Sequence, residues 1–204
     1  VRPESQFAVI SFNNDVNVLQ KFTSNARDVG KAYDKIREVG GSTRLFDALD
    51  QATTMLSRSP AVRNGRRTKR VIVVITDGYD SSSTIAPLEL VRRAQNAGVT
   101  IYSITLPSFA AMPGTGRQRV LTILDAHGVV PATGGQDFEA DQDDFTPVFR
   151  AIAEEIASGY QVAFYPPESS RRDGKVHQLR VEVLRPGTVV RASRAGYQVS
   201  AQAK

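Results

Sequence analysis

The chain has 204 residues, of which 41% are hydrophobic, and carries 26 Lys and Arg against 21 Asp and Glu for a net charge of +5. That length suits one α/β domain with an appendage, and that apolar fraction is enough for a sizeable core. There is no cysteine, which excludes disulfides, thiolate metal sites and a cysteine nucleophile, and no apolar run approaches the roughly 20 residues that cross a bilayer.

In chain order, FAVISF (7–12) and VNVLQKF (16–22) read as strands of a hairpin, separated by Asn13, Asn14 and Asp15. Ser24 or Asn25 then caps a helix to about Glu38, with Ala26, Val29, Tyr33, Ile36 and Val39 on one apolar face. GGST (40–43) leads into a second helix, RLFDALDQATTML, with Leu45, Ala48, Leu49, Ala52, Met55 and Leu56 at helical spacing. RNGRRTKR (63–70) reads as a basic loop before RVIVVIT (70–76), whose apolar residues do not alternate, as in a strand covered on both faces. PLELVRRAQNAG (87–98) is a helix with Pro at its start and Gly at its end, and VTIYSITL (99–106) is another buried strand. A Pro/Gly-rich loop (107–117) precedes a helix around 117–127 that ends at Gly128; TGGQDF (133–138) turns into a short strand. A last helix spans 143–158, with Asp143 or Asp144 near its start.

From Tyr160 the pattern changes to the strands YQVAFYP, VHQLRVEVL, TVVRAS and GYQVS, joined by turns at Pro166-Pro167, Asp173-Gly174 and Pro186-Gly187. The expected organisation is an α/β body over 1–158 and a β-strand-rich extension over 159–204. Buried strands alternating with helices predict a doubly wound, mostly parallel sheet covered on both faces. Such folds bind ligands at the carboxyl ends of their strands, where Asp77 stands.

The residue types narrow the chemistry. His127 and His177 lie far apart in different contexts, no Gly-x-Ser-x-Gly elbow or phosphate loop occurs, and Gly114-Thr115-Gly116 does not continue as a dinucleotide fingerprint. Enzymatic activity is therefore not expected. The basic stretch at 63–70 comes with no DNA- or RNA-binding motif, so nucleic acid is not an expected partner. A hard cation needs only oxygen ligands, and two loops offer them: GGST (40–43) and TDGYDSSS (76–83). Gly41 and Gly78 let the backbone turn tightly there. Taken locally, Ser42 or Thr43 also suits helix capping, and Asp77-Gly78 also suits a strand-terminating turn.

The set FAVISFNNDV, GGSTRLFDAL, VIVVITDGYDSS and AGVTIYSI resembles the von Willebrand factor type A domain over roughly residues 5 to 158. The extension, with YQVAFYPP, DGKVHQLRVEV and RAGYQV, is similar to that of a bacterial subgroup labelled VWFA-related. The resemblance implies a metal-ion-dependent adhesion site at the carboxyl edge of the sheet. Thr43 would ligate the metal through its hydroxyl; Asp77 would ligate it or accept from metal-bound water. Gly41, Ser42, Gly78 and Asp80 would support the loops, Ser42 standing where the family often has glycine. An acidic side chain of a protein partner would complete the shell of Mg²⁺, or of Mn²⁺ or Ca²⁺.

The family's Asp-x-Ser-x-Ser motif, at the end of its first, central strand, does not precede FAVISF here. The resemblance therefore implies a fold lacking that strand, with unpaired neighbours, and cation binding that is weak or absent in this segment. It also implies a bacterial envelope or secreted location, without membrane insertion by this segment. The expected function is metal-dependent protein binding; the alternative is a structural scaffold with an incomplete or unused metal site.

Overall fold

The computed structural model describes residues 4–36, 41–106, 122–139, 144–160, 162–171 and 173–199. Strands β1 (Phe7–Phe12) and β2 (Val16–Thr23) form an antiparallel hairpin in which Phe12 faces Val16 and Ile10 faces Val18. Helix α1 (Ala26–Tyr33) is capped by Asn25, whose side chain accepts from the Arg27 amide at 3.0 Å. The helix is shorter than its apolar spacing suggests. Ala32 is its buried residue, whereas Ala26, Tyr33 and Ile36, expected on the inner face, are exposed. Among the described residues the helix packs mainly on the small β1–β2 hairpin, which is too narrow to cover a full apolar stripe. Val39 and residues 37–40 fall outside the described residues.

Helix α2 (Leu45–Ser57) buries Leu45, Phe46, Ala48, Leu49 and Thr53, a wider face than the one read from the sequence. The basic loop contains a structured element that the reading missed. Strands β3 (Val62–Arg63) and β4 (Arg66–Arg67) pair antiparallel across Asn64-Gly65, both at positive φ. Asn-Gly is the dipeptide that favours this two-residue turn.

Strand β5 (Arg70–Thr76) follows, then helix α3 (Pro87–Ala97), ended by Gly98 in the left-handed conformation, and strand β6 (Val99–Thr105). Two short helices, α4 (Ile123–Ala126) and α5 (Val129–Ala132), precede strand β7 (Asp137–Glu139) and helix α6 (Thr146–Ser158). The helix ends before Gly128 as expected, and the chain then turns at that left-handed glycine into α5, which was not expected. Residues 107–121 and Asp143 lie outside the described residues, and Asp144 accepts from the Thr146 amide at 2.8 Å at the start of α6.

Strands β5, β6 and β7 form a parallel sheet in that order, with Arg70 to Thr76 facing Val99 to Thr105 in unbroken register. One face packs on Leu45, Leu49, Leu90, Ala94, Leu124 and Val129, from α2, α3, α4 and α5. The other carries Tyr102 and Ile104 against Ile152 of α6, with Val148, Ile156 and Phe138 around them. Helices thus cover both faces of a parallel sheet, the α/β arrangement expected. Fully burying a side chain such as Leu90 or Ile101 contributes about 1.5–3 kcal/mol.

β6, buried at Val99, Ile101, Tyr102, Ser103 and Ile104, is the strand covered on both sides. β5 is less so: Ile72, Val74 and Thr76 are buried, but Val73 is 36% exposed. Among the described residues no ladder joins the β1–β2 hairpin to the parallel sheet, so β1 and β5 each have one edge without a strand partner.

The four strands expected after Tyr160 reduce to one short antiparallel pair, β8 (Val176–Gln178) and β9 (Gly196–Gln198). The described residues of 160–166 and 188–193 form no strand. A strand exists only where another supplies its hydrogen bonds, and local alternation cannot guarantee that neighbour. No helix among the described residues is long and apolar enough to cross a membrane.

Candidate functional site

Three loops meet at the edge where β1 and β5 end: residues 13–15, 41–44 and 77–84. Asn14 lies at the centre of the first contact, its side-chain oxygen accepting from the Ser42 amide at 2.6 Å and the Ser42 hydroxyl at 2.7 Å. The Arg44 amide donates to the Asn13 carbonyl at 3.0 Å. The second and third loops are tied more closely. The Thr43 amide donates to Ser81 Oγ at 2.8 Å, the Ser81 and Ser82 amides return bonds to the Thr43 carbonyl, and Ser82 Oγ donates to Ser42 Oγ at 3.0 Å.

Carboxylates of this cluster also organise α2. Asp80 Oδ1 accepts from the Leu45 amide at 2.8 Å and from Ser83 Oγ at 2.6 Å, satisfying an amide that the helix start leaves without an intrahelical partner. Asp47 accepts from the Thr84 and Ile85 amides, each at 3.0 Å, and pairs with Arg44. Burial alone would raise the Asp47 pKa, but those two amides, the Arg44 guanidinium and the Thr84 hydroxyl together hold it below the ordinary carboxylate value.

Glycine is required twice. Gly78 has φ 87°, and a Cβ there would stand 2.5 Å from Thr122 Cγ2; Gly41 has φ 100°, and its Cβ would stand 2.7 Å from Asn14 Oδ1. Larger residues would be strained by the backbone and blocked by the neighbour.

Asp77 is different. It is exposed, and Oδ1 accepts one long bond, from the Tyr79 amide at 3.3 Å. Among the described residues, neither its second oxygen nor the Thr43 hydroxyl is hydrogen-bonded to a protein group. The expected support residues Gly41, Ser42, Gly78 and Asp80 all build the loops, while Thr43 contributes its backbone and leaves its hydroxyl free. Asn14, Asp47, Ser81 and Ser83 were missed. Each bonds to a residue 28 to 38 positions away, so no local sequence signal marks these contacts.

The donor set of Asp77, Thr43 and neighbouring hydroxyls is hard oxygen, the kind that suits Mg²⁺ or Mn²⁺. It holds one carboxylate, and among the described residues no group of three His, Cys, Asp or Glu is placed to hold a metal. A cation here would depend on further oxygens from water or a partner.

The family description of the von Willebrand factor type A domain matches residues 1–124, taking in the hairpin, all three loops, and β5 and β6. The chain belongs to that family. Type A domains are generally protein-interaction modules. A stretch of 81 residues, 40% of the chain, is 31% identical to the human collagen alpha-6(VI) chain and takes in 3% of that protein. The chain spans under a third of the length of the curated relatives it matches.

Two solved structures share the type A fold. The conserved hypothetical protein BatB of Bacteroides thetaiotaomicron aligns at a TM-score of 0.50 and 19% identity, over 74% of this chain and 78% of that one. Proximal thread matrix protein 1 from the mussel byssus aligns at a TM-score of 0.53 and 18% identity, over 74% and 34%.

Proposed function

We propose that this type A domain binds a protein partner at the carboxyl edge of its sheet, through a divalent cation held by Thr43 and Asp77. One observation carries the reading: in a cluster where Ser42, Asp80, Ser81 and Ser83 are engaged in hydrogen bonds, the Thr43 hydroxyl and one Asp77 oxygen have no protein partner among the described residues. The cation would supply positive charge at an exposed, otherwise neutral-to-acidic loop surface, and an acidic side chain of the partner would add the oxygen that the loops lack. Gly41, Ser42, Gly78 and Asp80 hold the loops in shape. The reading assigns no catalytic group and places the protein in the bacterial envelope or outside the cell.

A second reading, a scaffold whose metal site is unused, is favoured by the single carboxylate at the centre of the site. Calorimetric titration with Mn²⁺ and Mg²⁺ separates the two, made on the 204-residue chain and on the chain with any native flanking sequence. Saturable binding that Asp77→Ala and Thr43→Ala remove, in either version, supports the cation reading. No binding in both versions leaves the scaffold.

A further inference from the structure

The basic cluster at 63–70 divides into two groups. Lys69 and Arg70 are tied to backbone carbonyls of the body, Lys69 while still exposed and Arg70 half-buried. Lys69 Nζ donates to the carbonyls of Ile156 and Gly159 at the end of α6, and Arg70 donates to the carbonyls of Ala97 and Ser59 at 2.7 and 2.6 Å. They pin the base of the β3–β4 hairpin to the body. Arg63, Arg66 and Arg67 are exposed on the hairpin, and Arg58 is exposed just before it. None of these four is ion-paired among the described residues.

The register adds a second observation. Arg63 stands directly opposite Arg66, where side chains on paired strands sit about 4.5–5.5 Å apart at Cβ and like charges destabilise the pair. The Asn64-Gly65 turn fixes that register. A hairpin that sets two arginines opposite each other, with no carboxylate paired to either among the described residues, is poised for an external anion; each guanidinium suits bidentate contact with phosphate oxygens.

The surroundings favour one source of phosphate. Val62, which pairs with Arg67 on the ribbon face opposite Arg63 and Arg66, is 54% exposed, and Tyr160, next to the Gly159 that Lys69 holds, is 97% exposed. Basic side chains mixed with a Tyr and a short aliphatic chain match the headgroup layer of a bilayer, where Tyr is enriched and Lys and Arg meet anionic lipid. A groove for single-stranded nucleic acid would instead call for several aromatic rings as stacking platforms.

We infer that the β3–β4 hairpin, with Arg58 and Tyr160, docks the protein peripherally on an anionic phospholipid surface. The hairpin precedes the amino end of β5 and the candidate site follows its carboxyl end, a separation of roughly 20 Å along a seven-residue strand. Docking there turns the candidate site away from the bilayer. This inference does not depend on the cation reading.

The test is flotation of the full chain with vesicles of phosphatidylglycerol and phosphatidylcholine in equal parts, against pure phosphatidylcholine. The chain floats with the anionic vesicles only, and less as salt rises. Each Arg→Gln change on the hairpin weakens binding about fivefold, the equivalent of about 1 kcal/mol per cation, so Arg63→Gln/Arg66→Gln loses about 25-fold. Because this change also removes the facing like charges, its melting temperature does not fall. Tyr160→Ser weakens binding further, whereas Arg150→Gln, at an exposed arginine on α6, has far less effect. Three results would overturn the inference: no flotation with anionic vesicles, an equal loss from Arg150→Gln, or tighter binding at matched salt to poly-glutamate or a single-stranded oligonucleotide.

Discussion

Asp77 and Asp80 lie three residues apart in one loop, and the difference in their surroundings separates binding from stability. Asp80 accepts from the Leu45 amide, caps α2 from outside the helix and holds Ser83. Asp77 accepts one long bond at an exposed turn. Asp80→Ala is therefore expected to lower unfolding stability by about 1 kcal/mol, within the 0.5–2 kcal/mol typical of a lost cap. Asp77→Ala is expected to stay within about 0.5 kcal/mol, as surface changes do. Urea unfolding of both variants checks this; an equal loss would show Asp77 to be a structural residue as well. The sequence marked both aspartates by the loop they share. The resemblance ranked them, Asp77 as a ligand and Asp80 as loop support, but the residues alone could not, because the partner of Asp80 is 35 residues away.

At the scale of elements, the α/β body was largely legible. β5 and β6 have nearly the bounds that their apolar runs suggest, and α3 lies between its Pro and Gly signals. These signals are local: apolar periodicity, a ring that fits the first helical turn, a glycine that accepts left-handed backbone. Pairing is not local. β5 was read as covered on both faces, yet Val73 is partly exposed and one edge of the strand has no described partner. In a parallel strand, successive residues aim their amides alternately to the two sides. Hydrogen exchange along Val71 to Thr76 in this chain should therefore alternate, with amides aimed at β6 protected and their neighbours exchanging fast. Uniform protection would mean that something covers the open edge.

For the molecule as a whole, the described contacts tie the C-terminal segment to the body through a few polar groups. Arg191 pairs with Glu155 of α6 at 2.5 Å, and Arg194 donates to the Gln95 carbonyl at the end of α3 at 2.6 Å. Glu155 also accepts from the Tyr102 hydroxyl at 3.3 Å. Burial, reinforced by that carboxylate, pushes the Tyr102 pKa up to about 12. Arg191 and Glu155 remain 42% and 21% exposed in their side chains, so solvent screens the pair. A double-mutant cycle on Arg191→Ala and Glu155→Ala should give a coupling of no more than about 1 kcal/mol that shrinks with salt. A salt-insensitive coupling of several kcal/mol would show a buried junction.

The sequence by itself determined what depends on near neighbours along the chain: most helices and strands of the body, the turn at Asn64-Gly65, and loops rich in oxygen donors at the ends of buried strands. Tertiary structure decided what depends on partners distant in sequence. It reduced the expected strands after Tyr160 to one short pair, because a strand persists only where another chain segment meets its hydrogen bonds. It tied Lys69 and Arg70 to carbonyls of elements up to 90 residues away, while Arg63, Arg66 and Arg67 have no such partner among the described residues. It also engaged Asp80 in a helix cap and left Asp77 with one long bond inside its own turn, because one of the two aspartates meets the start of α2 and the other does not.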